Sequence, residues 1–429
     1  MFNDLIPFYR QLRISGLLML SALFVFSCSQ SPANNGQNAI TSPTSQNYSV
    51  LSKTTVSGST IIEGTQQSGA VYKIYIPQNW NRELVMFAHG YVEPDAAIAI
   101  PESQLMLDDS TYLPDVMADM GYAFAVTSYS VNGLAVKEGI ADLADLSNIF
   151  KNEVGRARNT YLIGASEGGL ITTLSMEKNF FLYSGALSLC GPSGDFQKQL
   201  NYFGDFRVLF DYYFPGILPG DATVIPQELM DNWDSKYVPA IINAIAADPF
   251  GASQVLRISG APIDPSDESS VAYTFLSVLW YSTFATNNAH DVLGGNPFGN
   301  NDRVYTGGRN MDQLNKNVTR YTAGATALAS VENDYQTSGI IFKPMIMMHT
   351  LGDQIVKKEQ MDLYAAKIDA ASAEFLTTQS VPVYGHCNFT ARQLTLAFTA
   401  LIYKVTGEVP GVAQRDKPRP VHGHLAIGG

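Results

Sequence analysis

Thr160-Tyr161-Leu162-Ile163-Gly164-Ala165-Ser166-Glu167-Gly168-Gly169 is the stretch on which the reading turns. The apolar run before Gly164 predicts a buried strand, and Gly168 to Lys178 predicts a helix. Gly164-Ala165-Ser166-Glu167-Gly168 lies between them as a Gly-x-Ser-x-Gly pattern. A strand-to-helix turn of this kind holds the serine in a strained backbone with its hydroxyl lifted clear of the sheet. Such a turn needs small neighbours on both sides, and Gly164 and Gly168 meet that need. Ser166 is therefore a candidate nucleophile.

Outward from this point the chain alternates strands and helices. Val71–Ile76 alternates apolar and polar residues and ends at Pro77, which predicts an antiparallel strand. The runs 84–88, 122–129 and 184–189 are nearly continuous in apolar residues, as strands buried on both faces are. Apolar residues between 136 and 154 recur at helical spacing, and Gly155 follows as a stop. The rhythm then lapses from about 195 to 340, where segments 226–247, 266–284 and 311–335 read as helices around a Gly/Asn-rich loop at 293–310. It resumes with a strand at 345–349, a helix near 357–371, a strand near 381–384 and a helix from about 391 to 403. This pitch predicts an α/β fold, a mostly parallel sheet covered by helices on both faces. A helical insertion interrupts it after the sixth core strand.

A serine hydroxyl needs a base to become a nucleophile at neutral pH. Of six histidines, His386 follows the last apolar strand and can reach the sheet edge where Ser166 lies. His349 sits within an apolar strand and reads as a buried structural residue. His290 falls in the insertion, and His422 and His424 in the tail. The base in turn needs a carboxylate to fix its tautomer. Asp353 stands on the turn after the 345–349 strand, where it would equally suit a helix N-cap. Asp291 and Asp334 end no buried strand. An oxyanion site needs two backbone N–H groups. Glu167, after the serine, and Tyr91, in the loop His89-Gly90-Tyr91, are the expected donors, with His89 bracing that loop.

Composition bounds the alternatives. Hydrophobic residues make up 46% and charged residues 15%, which suits a globular core and excludes a largely disordered chain. Lys+Arg of 27 against Asp+Glu of 39 gives a formal charge of −12 and argues against nucleic acid as a partner. Metal signatures such as HExxH and paired CxxC are absent, as are the phosphate-binding loop and a GxGxxG after a strand. No cofactor is expected. In the insertion, 201–215 carries Tyr202, Phe203, Phe206, Phe210, Tyr212, Tyr213 and Phe214. Each is expected in the insertion's own core rather than as a ligand wall. Asp205 and Arg207 are close enough to pair there, although nothing in the sequence requires it.

The order Ser166, Asp353, His386, with His-Gly after an early strand, resembles the α/β-hydrolase superfamily over roughly residues 65–405. HTLGDQIV and GHCNFT resemble secreted bacterial carboxylesterases of the feruloyl-esterase and polyester-depolymerase branch. The resemblance implies a serine carboxylic-ester hydrolase acting on a small-molecule or polymer ester. A serine peptidase removing short N-terminal peptides, and a non-catalytic binding lipoprotein on the same scaffold, are the alternatives. Some such enzymes brace the histidine loop with a disulfide, a role that would suit Cys190 and Cys387.

The first 27 residues read as an export signal: Arg10 and Arg13, then an uncharged run from Ile14 to Ser27 too short to span a bilayer comfortably. Val25-Phe26-Ser27-Cys28 resembles a bacterial lipobox, which implies lipidation of Cys28 and anchoring of an exported chain to a membrane, in the periplasm or on the outer membrane. Residues 28–50 have tether composition. The expected organisation continues with a first core part at 51–194, the insertion at 195–340, a second core part at 341–405 and an irregular tail at 406–429. Export permits a disulfide between Cys190 and Cys387, and two buried thiols are the other reading.

Overall fold

The computed structural model describes residues 48–56 and 58–408. The expected signal, Cys28, most of the tether, most of the tail, His422 and His424 lie outside them. Nine strands form one sheet: β1 Tyr48–Val56, β2 Ser59–Gln66, β3 Val71–Pro77, β4 Leu84–Ala88, β5 Ala123–Thr127, β6 Thr160–Ala165, β7 Gly185–Leu189, β8 Met345–Gly352 and β9 Leu376–Tyr384. Their order across the sheet is β1-β2-β3-β5-β4-β6-β7-β8-β9. The three pairings among β1, β2, β3 and β5 run antiparallel, and the five that follow are parallel.

The central strands are apolar throughout because both faces are covered. In β4, Met86 and Ala88 face one core while Val85 and Phe87 face the other. In β5, Ala123 and Ala125 divide from Phe124 and Val126 in the same way. On the first face lie α2 (Val136–Glu153), α3 (Glu167–Lys178) and α12 (Glu359–Lys367), contributing Leu143, Ile171, Leu174 and Tyr364. On the second lie α1 (Leu113–Asp119) and α13 (Ala391–Thr406), contributing Met117, Phe398 and Leu401. Thr390 opens α13 with a reciprocal capping box to Gln393. This is the expected two-faced, mostly parallel sheet.

β1 and β2 were not signalled by periodicity. β1 is an edge strand exposed along most of its length, so no buried face imprints an apolar pattern on it. With β1 counted, the insertion follows the seventh strand; among the strands that bury residues it follows the sixth, β2 to β7.

The insertion carries α4 (Phe196–Tyr213), α5 (Gln227–Asp231), α6 (Val238–Ala247), α7 (Pro249–Ser259), α8 (Ser269–Phe284), α9 (Thr286–Leu293), α10 (Met311–Asn317) and α11 (Ala325–Ser330). The helix expected over 311–335 is broken. Asn300 donates to the Thr319 carbonyl at 3.0 Å and accepts from the Tyr321 N–H at 2.7 Å, holding that connection extended between α10 and α11. Within α4, Tyr202, Phe206, Phe210 and Phe214 are buried, and Phe206 and Phe210 meet Phe275 of α8 edge-on. These are core residues, as expected. Asp205 and Arg207 do not pair: Asp205 binds Arg303 and Tyr305, and Arg207 binds Asp211 one turn on at 2.9 Å. Their spacing explains it, because residues two apart point to different sides of a helix while residues four apart share one. Among the described residues no helix is long and apolar enough to cross a membrane.

Arg207 is fully buried, whereas Asp211 keeps 32% of its side-chain surface in water. Arg207→Met should cost about 2–3 kcal/mol, because it strands the carboxylate and the Pro219 carbonyl. Arg207→Met with Asp211→Leu should recover part of that loss. Denaturant titration of both variants checks it, and an unchanged midpoint in the single variant would refute it.

Candidate active site

Ser166 stands between the end of β6 and the first turn of α3 with φ 59° and ψ −123°. A non-glycine residue there is strained and is held only by its surroundings. The surroundings are tight. A Cβ on Gly164 would overlap the Gly168 carbonyl, and one on Gly168 would overlap the Ala88 carbonyl at the end of β4. The Ser166 N–H donates to the Leu189 carbonyl at 2.9 Å, tying the turn to the end of β7.

Asp353 follows β8 and has no exposed surface. Its Oδ1 accepts the N–H groups of Ile355 and Val356 at 3.0 and 2.9 Å. It therefore caps the turn that follows rather than a helix, the next helix, α12, starting only at Glu359 with Lys358 before it. His386 lies in the β9–α13 loop. That loop is sewn to β8: Gly385 N–H donates to the Gly352 carbonyl at 3.0 Å, and Thr350 Oγ1 donates to the Gly385 carbonyl at 2.7 Å. His386 Nδ1 lies 2.9 and 2.8 Å from the two Asp353 oxygens, and Nε2 lies 2.8 Å from Ser166 Oγ. With Nδ1 protonated toward Asp353, Nε2 is free to accept a hydrogen bond from the Ser166 hydroxyl.

Cys190 and Cys387 are joined in a disulfide, their Cα atoms 5.5 Å apart. Cys190 follows β7 and Cys387 follows His386, so the bridge fastens the histidine loop beside the strand that also holds Ser166. Both cysteines have positive φ, 45° and 49°. Among the described residues the one tight grouping of metal-ligating types is Cys190, His386 and Cys387. Its sulfurs are spent on the disulfide, and its imidazole on the serine and the aspartate.

His349 is buried; its Nδ1 is 3.2 Å from the Thr350 carbonyl and 3.9 Å from Asp353. Burial lowers its pKa, which favours the neutral ring. His89 is buried too, stacked on Tyr129 at 3.8 Å between ring centroids, with Nδ1 2.7 Å from the Gly90 carbonyl. Burial pushes its pKa down to about 4, so it braces the loop as a neutral ring. Asp334 pairs with Lys137 and is not part of the group around Ser166.

The cleft over Ser166 has a volume of about 880 Å³, including its open mouth. Tyr91, Glu167, Phe203, Tyr281, His290 and Phe298 are among its lining. Of the aromatic residues in 201–215, Phe203 is the one in this wall, stacked on Tyr281 at 5.4 Å. His290, read from sequence only as an insertion residue, also reaches it. Glu167 is buried, and its Oε1 accepts the Ala135 N–H at 3.0 Å. Burial drives its carboxyl pKa up to about 8, and nearby Glu138 adds to the rise.

Two expectations follow. Gly168→Ala should sharply reduce the reactivity of Ser166 toward a fluorophosphonate, because the added methyl displaces the turn; labelling at the wild-type rate would show that the turn has room. The second concerns Glu167, which binds its proton more tightly folded than unfolded. Its contribution to stability is present at acid pH and is lost as pH rises from about 4.5 to about 8. Glu167→Gln removes that loss, so its Tm should gain on the wild type across this window. Parallel Tm–pH curves for the two proteins would contradict the assignment.

No protein-family model matches the chain, and no curated protein matches it in sequence. Solved structures do resemble it. Feruloyl esterase B from Aspergillus oryzae is 11% identical, with a TM-score of 0.45, covering 82% of this chain and 81% of that one. An esterase from Pyrococcus furiosus is 10% identical with a TM-score of 0.40, over 82% and 91%. Lipase A from Candida antarctica is 13% identical with a TM-score of 0.42, over 82% and 78%. Likeness at this level says nothing about substrate. The strand order, the strained turn at Ser166 and the delivery of Asp353 and His386 from the ends of β8 and β9 are the chain's own features, and they give it the α/β-hydrolase fold.

Proposed function

We propose that the chain is a serine hydrolase of carboxylic esters. The observation that carries this reading is the unbroken relay from buried Asp353 through His386 to the hydroxyl of Ser166. In this mechanism His386 takes the Ser166 proton as the serine oxygen attacks the ester carbonyl. Asp353 holds the imidazole in the required tautomer and stabilises its cation. His386 then protonates the leaving alcohol. Water, activated by the same imidazole, attacks the acyl-enzyme and releases the acid.

The tetrahedral oxyanion is held by the N–H groups of Glu167 and Tyr91. Glu167 N–H opens α3, where the helix end adds its own positive dipole. Around Tyr91, three backbone groups are otherwise engaged: Gly90 N–H and the Tyr91 carbonyl with Gln104, and the Gly90 carbonyl with His89. The Tyr91 N–H is the group this reading assigns to the oxyanion. The predominantly apolar cleft favours an apolar or aromatic acyl or alcohol part over a charged one. Export and lipidation at Cys28 would place this activity at a membrane surface, as a further part of the proposal.

Fluorophosphonate labelling tests the mechanism. The wild-type chain should label and Ser166→Ala should not, and Asp353→Asn should lower kcat by about 10⁴-fold. A panel of p-nitrophenyl esters beside aminoacyl-p-nitroanilides tests the substrate class. Faster anilide turnover would favour a peptidase, and a folded wild-type chain inert to the reagent would favour a binding protein.

A further inference from the structure

Gln104 touches neither Ser166 Oγ nor any other member of the relay in the contacts described above, yet it holds the loop that the oxyanion reading depends on. β4 ends at Ala88, so the buried Gly90 N–H has no strand ladder to join. A buried amide must find a partner elsewhere. Gln104 Oε1 accepts it at 2.6 Å, and Gln104 Nε2 donates to the Tyr91 carbonyl at 3.2 Å. One side-chain amide thus grips the backbone on both sides of the Gly90–Tyr91 peptide and so fixes the direction of the Tyr91 N–H.

The grip is itself rigidly mounted. Gln104 lies in the short turn Glu102–Leu105, where Leu105 is fully buried. Glu102 accepts from Lys73 of β3 and from the Tyr112 hydroxyl, both at 2.6 Å. The loop also has little slack on its other side. A Cβ at Gly90 would lie 3.2 Å from Gln104 Oε1, the Ala165 carbonyl and Ser166 Cβ alike. Gly90 is thereby wedged between Gln104 and the nucleophile turn.

The geometry points to Gln104 as a positioning residue for the oxyanion site: its amide sets the orientation of the Tyr91 N–H toward the serine. This rests on the ester-hydrolase reading. Gln104 acts through Tyr91 and contributes no group to the reacting atoms. A misplacement of about 1 Å in such a donor costs up to about 10²-fold in rate, and the loss falls on the transition state rather than on substrate binding.

The test is steady-state kinetics on the full chain with a p-nitrophenyl ester, beside the affinity of a boronic acid that forms a tetrahedral adduct on Ser166. Gln104→Met, which removes both hydrogen bonds at similar length, should lower kcat about 10- to 100-fold with KM within about twofold. Boronate affinity should weaken in proportion. Gln104→Glu keeps the acceptor for Gly90 and loses the donor to Tyr91, so it should fall between Gln104→Met and the wild type. If Gln104→Met does not fold, Gln104→Glu alone decides: reduced kcat at unchanged KM supports the role, and wild-type kcat overturns it. A folded Gln104→Met with wild-type kcat, or one whose KM and Tm move together with kcat, also overturns it. Failure of the wild type to react with a fluorophosphonate is a separate result and sinks the hydrolase reading instead.

Discussion

Asp353 is a carboxylate with no surface open to water, and removing a charge from water costs several kcal/mol unless partners replace the lost hydration. Its partners are two backbone N–H groups of its own turn and the imidazole of His386. The first two fix where the carboxylate points. The third makes the histidine the group that completes its solvation, so the buried aspartate and the histidine loop specify one another. Moving either would leave a buried charge short of a donor. Ser166 closes the line through the opposite nitrogen of the ring.

The rest of the architecture serves to bring three chain segments to one place without slack. Parallel strands β6, β7, β8 and β9 all end at the same edge, and each end ties to the next. Ser166 N–H binds the Leu189 carbonyl, Cys190 N–H binds the Met348 carbonyl, and Gly385 N–H binds the Gly352 carbonyl. The Cys190–Cys387 disulfide adds a covalent tie across the same ground. Positive φ at Ser166, Cys190 and Cys387 marks where the backbone bends sharply to make these meetings possible. Conformations of this kind cost about 1–3 kcal/mol each and persist where the surrounding packing over-determines them.

The parts of this site that were legible in the sequence are those with a local signature. Gly164 and Gly168 advertise the tight turn, and their hypothetical Cβ atoms collide with backbone as such a turn requires. Asp353 and His386 were singled out because each follows a buried apolar run, and topology brings those strand ends together. Gln104 had no such signature. It lies in a short irregular turn between strands, and its value comes from contacts with residues 13 and 14 positions earlier. His290 was equally silent, because only the packing of the insertion over the sheet brings α9 to the cleft. The pairing of Arg207 with Asp211 instead of Asp205 follows from the helix that carries them, which the aromatic composition of 201–215 concealed.

The sequence by itself determined the alternation of buried strands and helices, because strands covered on both faces must be apolar at every position, and it determined the serine turn, because only glycine fits two residues to either side of Ser166. The tertiary structure alone decided which side of which strand end meets which. It joined β1 and β2 to the sheet edge, drew 318–321 out of helical form through Asn300, and set Phe203 rather than its six aromatic neighbours in the cleft wall. Local pattern records whether a residue is buried. The identity of the partner it is buried against depends on segments tens to hundreds of residues away, and no local window contains that information.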